Sequence, residues 1–315
     1  MLVSIIIPSF NSSKTILKSL QSFSQQAYSI DKYEVIVVDN NSIDQSPEII
    51  KSFIINYPNF RYLKESKPGA TNARHAGACA AKSEILLFCD DDGLFNPECI
   101  SEILKVYELN PEVSAVTGKI EIEWDKEPPK WIKPYEFMLG KLDYGNEIIF
   151  RRDLFLNGGL FSIKKSVFEQ LGGFNPDLIG DYLVGDGDTG LVNKLHETGK
   201  FIGYTPFAVM RHLQFVDKHA TVEDMGRRFY NTGISNTYTF YRKHGFRMNC
   251  SIIIYLIKSI IFFLKKKLEY VFNRQAKTYF SMMQKKGELA FFLNMRHKII
   301  RDEVSKKYCY SAHKL

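Results

Sequence analysis

The chain begins with an apolar run, Val3 to Ile7, that stops at Pro8. Val35 to Val38 repeats the pattern and stops at Asp39, and Ile85 to Cys89 repeats it again and stops at three aspartates. Short unbroken runs of this kind mark strands buried on both faces. Between them the period changes. Asn11 to Gln26 carries Ile16, Leu17, Leu20 and Phe23 at helical spacing, with Asn11 or Ser12 as its cap. Asp44 can cap a helix through about Ile55. Phe60 to Leu63 reads as a weak strand and the Ala-rich stretch Thr71 to Ala81 as a helix. A helix from about Pro97 to Glu108 and a strand at Val113 to Thr117 continue the series. This βαβα order predicts an α/β fold, a mostly parallel sheet flanked by helices. In such sheets ligands sit beyond the C-terminal ends of the strands. Ser9 and Asn11, Asp39 to Asn41, and Asp90 to Asp92 all fall at such ends.

The pattern loosens from residue 120. Glu121 to Lys133 alternates charge with Trp124, Pro128, Pro129 and Trp131, and reads as a loop or lid. Gly158 to Ile163 resumes as strand, with a short helix to Leu171 behind it. An amphipathic helix starts near Asp188, carrying Leu191, Val192 and Leu195. Phe201 to Tyr204 and Phe207 to Met210 read as two strands ending at Arg211 and His212, and Val222 to His244 as a long helix.

Composition sharpens this picture. Of 315 residues, 45% are hydrophobic, enough for a real core. The net charge of +7 hides an asymmetry. Ser251 to Leu315 holds 14 Lys/Arg against 4 Asp/Glu, so a mildly acidic body carries a basic tail. A nucleic-acid-binding body would be basic itself, and no stacking or base-reading module accompanies the tail, so no nucleic-acid partner is expected. The five cysteines form no CxxC pair and favour a reduced, cytoplasmic setting over a disulfide framework. The N-terminus has no basic n-region and reads as a buried strand.

The acidic triplet carries the first chemical suggestion. Three adjacent carboxylates repel one another, and a hard divalent cation relieves that repulsion. Mg²⁺ or Mn²⁺ bound by one or two carboxylates plus phosphate oxygens fits the residue types. A solvated acidic turn capping the next helix is the alternative.

The series VSIIIPSFN (3–11), YEVIVVDNNSID (33–44), KPGATNARHAG (67–77), SEILLFCDDDG (83–93) and GGLFSIKKSVFEQLGGFNPDL (158–178) resembles the family 2 inverting glycosyltransferases of the GT-A fold. Order and spacing match over roughly residues 1–245. The resemblance implies transfer from a nucleotide-diphosphate sugar, a UDP-sugar by family habit, to a hydroxyl of a glycan or lipid-linked glycan. Pro8 and Ser9 then match the loop lining the base, and Asp39 the carboxylate that accepts from it. Arg74 would face the diphosphate. Asp90 would bind the ribose side, with Asp91 beside it among the donor-binding residues, and Asp92 the metal. His212 matches a histidine that completes many such metal sites. Asp188 falls on the catalytic base, with Asp186 as second candidate and Gly187 where a glutamate is usual. Asp188 could equally be the N-cap of its helix. Arg227 and Arg228 either hold a phosphate or form a solvated helix face.

Residues 252–264, flanked by Lys265 to Lys267, are apolar on nearly every helical face but too short to span a bilayer. A helix lying in an anionic membrane interface fits them, and a helix packed on the body competes with that reading. A second surface-lying helix is expected within Tyr279 to Tyr310. The expected organisation is a catalytic domain over 1–245 and a helical basic tail over 246–315, peripheral on the inner face of the cell membrane. Two rival functions remain: a polyprenyl-phosphate glycosyl synthase, and a non-catalytic nucleotide-sugar-binding or scaffold protein.

Overall fold

The computed structural model describes residues 2–176, 178–179, 182–183, 185–244 and 250–295. Arg247, Cys309 and the part of the expected Tyr279–Tyr310 helix beyond Met295 lie outside the described residues. The first half runs β1 (Val3–Ser9), α1 (Ile16–Ser24), β2 (Tyr33–Asp39), α2 (Ser46–Ile54), β3 (Phe60–Lys64), α3 (Ala70–Ala80) and β4 (Ile85–Cys89). β5 (Gly93–Phe95), α4 (Cys99–Leu109), β6 (Val113–Trp124), β7 (Ile149–Arg151), β8 (Leu160–Lys164) and α5 (Lys165–Gln170) follow. A short hairpin, β9 (Leu178–Ile179) and β10 (Tyr182–Leu183), leads to α6 (Gly187–Glu197) and β11 (Phe201–Gln214). The chain continues through α7 (Val216–His219), α8 (Val222–His244), α9 (Cys250–Asn273) and α10 (Ala276–Asn294).

The main sheet has the order β3-β2-β1-β4-β8-β6-β11-β5, with β7 on β11. β3, β2, β1 and β4 are mutually parallel, β8 is antiparallel between β4 and β6, and β11 is parallel to β6. Helices cover both faces, so the strands must be apolar on both. In β1, Ile5 and Ile7 pack with Leu20, Phe23 and Ile50 on one side. Ile6 packs with Val38, Ala73, Phe88 and Phe174 on the other.

Three expectations need correction. The first helix starts at Ile16, behind Thr15 rather than Asn11 or Ser12. Asn11 has left-handed φ and accepts from Ile43 N, so the polar stretch before Ile16 is a loop tied to the next strand end. Residues 121–124 are strand, paired with β11, and a 3₁₀ helix spans Lys130–Leu139. Phe201 to Met210 is one strand, not two. It runs on to Gln214, with a register shift between Thr205 and Val209 where Pro206 cannot donate a ladder hydrogen bond. His212 therefore sits inside the strand.

The C-terminal helices divide between body and surface. α10 sends Phe280 among Ile132, Leu139 and Met225, and Phe291 among Ile234, Tyr238 and Tyr241. It reaches them by crossing α8 at two glycines. A Cβ at Gly287 would lie 1.9 Å from the Tyr230 carbonyl oxygen, and one at Gly233 2.0 Å from that of Gln284. Gly287→Ala is therefore expected to destabilise the protein. The gain in helix propensity is about 1 kcal/mol, and the overpacking cost is about 1–3 kcal/mol or more. Backbone cannot move aside as a flexible side chain can, so the cost wins. A raised denaturation midpoint would refute this.

Candidate active site

Because β1, β2 and β4 are parallel, Ser9, Asp39 and the acidic triplet emerge at one edge of the sheet. A cavity of about 540 Å³ opens there. Pro8, Phe10, Pro68 and Ala70 give it apolar walls, Ser9, Asn40 and Asn41 polar ones, and Arg74, Asp90 and Asp91 its charge. Ser9 Oγ lies 2.7 Å from Ser12 Oγ. Asp39 is placed differently from Asn40 and Asn41. It is buried beside the cavity and not among its lining residues, accepting from Ser42 N at 3.0 Å and Tyr62 OH at 2.9 Å.

The three aspartates face different partners. Asp90 Oδ1 takes Arg74 Nη2 at 2.7 Å. Burial pushes the Asp90 carboxyl up against the pull of Arg74, and Asp92 and Asp188 add like charge. Asp91 Oδ2 accepts from Phe10 N at 3.2 Å, and burial with the Asp92 charge pushes its carboxyl up to about 7. Asp92 Oδ1 lies 3.0 Å from His212 Nε2. The sheet register produces this pair: β5 runs antiparallel to β11 with Gly93 opposite His212. Burial works upward on Asp92, but His212 outweighs it and holds the carboxyl below its usual range. Burial works downward on His212, and Asp92 more than offsets it, so the imidazole is raised.

The two candidate bases sit together at the start of α6 but face different partners. Asp188, in its first turn, accepts from Gly158 N at 2.7 Å with Oδ2. Gly158 is also the meeting point with Arg74, whose Nη2 donates to its carbonyl at 3.3 Å. A Cβ on Gly158 would lie 2.8 Å from Arg74 Nη2 and 3.0 Å from Asp188 Oδ2. Arg74, Asp90 and Asp188 are thus brought together around one glycine. Asp186 is not part of this group. It is buried, with Asn175 Nδ2 at 2.9 Å and Thr239 Oγ1 at 2.7 Å on its two oxygens, and burial raises its carboxyl. Asp186, not Asp188, stands at the N-cap position of α6. Gly187 has φ +47° and open space on its Cβ side. A glutamate would be strained there, which accounts for the glycine.

Comparison with known proteins completes the picture. The model of the glycosyl transferase family 2 matches residues 4–172, more than half the chain. The chain belongs to glycosyl transferase family 2. An uncharacterized glycosyltransferase of Haemophilus influenzae is 27% identical to it over 292 residues, covering 88% of this chain and 91% of that protein. Two solved structures share its fold. A mannosyltransferase of Pyrobaculum calidifontis in complex with GDP-Man and Mn2+ has a TM-score of 0.57 and 17% identity, covering 94% of this chain and 88% of that one. Staphylococcus aureus TarS 1-349 in complex with UDP-GlcNAc has a TM-score of 0.53 and 15% identity, covering 93% and 92%. The fold of this glycosyltransferase is GT-A.

In the glycosyltransferase, Asp92 and His212 are the residues to test for a metal. No group of three or more His, Cys, Asp or Glu among the described residues is arranged to hold one. Two donors are present, and their 3.0 Å separation is that of the hydrogen bond they make to each other. One carboxylate and one imidazole fit Mn²⁺, with phosphate oxygens left to supply the rest.

Sequence reasoning overlooked other parts of the site. Gly158 gave only its place in a GGLF string. A second cavity, about 650 Å³, shares Phe10 and Asp91 with the first and adds Asp92, Asp125, Asp217 and His219. His219 Nδ1 accepts from Phe215 N at 3.2 Å, and burial, with Lys218 and Arg228 nearby, pushes it down to about 4. Arg227 and Arg228 are both held by Asp224, and Arg228 also reaches the Met138 carbonyl.

Proposed function

We propose that this enzyme transfers a sugar, with inversion, from a nucleoside diphosphate donor to an acceptor hydroxyl. The carrying observation is the convergence of Arg74, Asp90 and Asp188 on Gly158, at the wall of a cavity lined by Arg74, Asp90 and Asp91. The nucleoside lies in the 540 Å³ cavity between Pro8, Phe10 and Pro68. Asp91, unlike Asp90, has no guanidinium on it and lines both cavities, so it is the better ribose partner. Asp39 would accept from the base with a lone pair left free beside Tyr62 OH, each carboxylate oxygen having two. Arg74 orients Asp90 and faces the diphosphate. Asp188 accepts the acceptor hydroxyl's proton as that oxygen attacks the anomeric carbon. Asp92 and His212 would hold Mn²⁺ or Mg²⁺, which when bound neutralises charge on the departing diphosphate. Relatives of the same fold bind GDP-Man with Mn2+ and UDP-GlcNAc, which supports the donor class.

The test is a screen of nucleotide sugars by thermal unfolding, with and without Mn²⁺. A UDP-sugar with Mn²⁺ is expected to stabilise the fold by about 2.7 kcal/mol at 100 times its Kd. Absence of stabilisation by every nucleotide sugar tried would overturn the donor reading.

A further inference from the structure

We propose that the outward face of α9 lies in the interfacial layer of an anionic lipid bilayer. Ile253, Ile257, Ile260, Leu264, Leu268 and Val271 recur at steps of three or four residues and are all exposed. They form one stripe about 27 Å long at about 1.5 Å per residue. Its far end is open to solvent, with Leu268 61% and Phe272 80% exposed. Scattered exposed apolar residues are ordinary, and a continuous stripe on one helix is not. The opposite face holds α9 to the protein. Ser259 is buried there, Tyr255 OH donates to Glu288, and Lys285 lies over the rings of Tyr255 and Phe262.

Charge selects the occupant. At 100° per residue, Lys258 and Lys265 fall along one border of the stripe and Lys267 along the other, and all three are exposed. The single acid of α9, Glu269, is engaged by Lys266 at 2.8 Å and Thr278 at 3.3 Å. A second copy of α9 laid on the stripe would set lysine border against lysine border with no carboxylate between them. Anionic headgroups complement those borders, and lysine stems reach them while the stripe stays in the acyl boundary. No helix among the described residues is long and apolar enough to cross a membrane, so α9 lies on the bilayer. Docking there would also orient the candidate active site. α8 stacks Phe240 on Tyr255 of α9 and sends Ser235 and Thr239 to Gly185 and Asp186, beside Asp188. The proposal rests on α9 alone and not on the sugar-transfer reading.

The test uses the full chain, sedimented with vesicles of mixed phosphatidylglycerol and phosphatidylcholine and with phosphatidylcholine vesicles. The protein is expected to sediment with the first and stay in solution with the second. Replacing Lys258, Lys265 and Lys267 with Gln should weaken partition on the order of a hundredfold. Leu264→Gln with Leu268→Gln should weaken it at least tenfold, which adsorption by charge alone would not show. Unchanged thermal midpoints would show that these exposed replacements leave the fold intact. The proposal falls if the wild-type chain ignores anionic vesicles, or if the leucine pair leaves partition unchanged. It also falls if the chain self-associates in solution and the leucine pair abolishes that instead.

Discussion

Asp188→Asn is expected to lower kcat by about 10² to 10⁴ while leaving donor binding unchanged. The argument rests on what asparagine keeps. Asp188 Oδ2 accepts from Gly158 N at 2.7 Å, and an amide oxygen can accept the same bond. The turn around Gly158, and with it Arg74 and Asp90, should survive the replacement. The capacity to take a proton is lost, together with the bond from Thr189 N to Oδ1, whose place an amide nitrogen cannot take. A purely structural Asp188 would give a mild change in stability and little in rate. A loss of less than tenfold would remove the general base from the mechanism. It would favour a phosphate acceptor, which needs no deprotonation. Asp186→Asn is the contrasting case, because Asp186 faces Asn175 and Thr239 and not the group around Gly158. Its effect should fall on the thermal midpoint, with turnover per folded molecule unchanged.

The parts of the fold visible in the sequence are those whose burial is complete. β1, β2 and β4 are apolar on both faces because helices cover both, so their ends, and the residues at those ends, could be placed by eye. β6 continues past Thr117 to Trp124, where the sequence suggests a loop, for a local reason. Ile120, Ile122 and Trp124 alternate with Glu121 and Glu123, which is the period of a half-buried strand. The charges and the following prolines drew the reading toward a loop. The site was legible residue by residue and not as an arrangement. That Asp92 belongs to His212 depends on β5 turning back against β11, a pairing of three residues. That Asp186 and Asp188 face different partners depends on Asn175 and Thr239, distant in sequence. α9 shows the same limit. Its apolar run was plain, but which face the protein covers is set by α10, and only the remainder is free to meet a bilayer.

Asp92→Asn is expected to abolish the dependence of UDP binding on Mn²⁺. This replacement separates two roles that alanine would confound. Asp92 and His212 stand 3.0 Å apart, and an asparagine oxygen can still accept from the imidazole, so β5 should stay on β11. What disappears is the negative charge that holds His212 raised and that would bind a divalent cation. Affinity for UDP measured by calorimetry should then be the same with and without Mn²⁺, and equal to that of the wild-type protein without it. His212→Gln should retain a reduced Mn²⁺ effect, because a carboxylate is a stronger ligand for a hard cation than an imidazole. If Asp92→Asn keeps its Mn²⁺-dependent affinity, the cation is held elsewhere. Asp91 would then be the first residue to examine, since it lines both cavities.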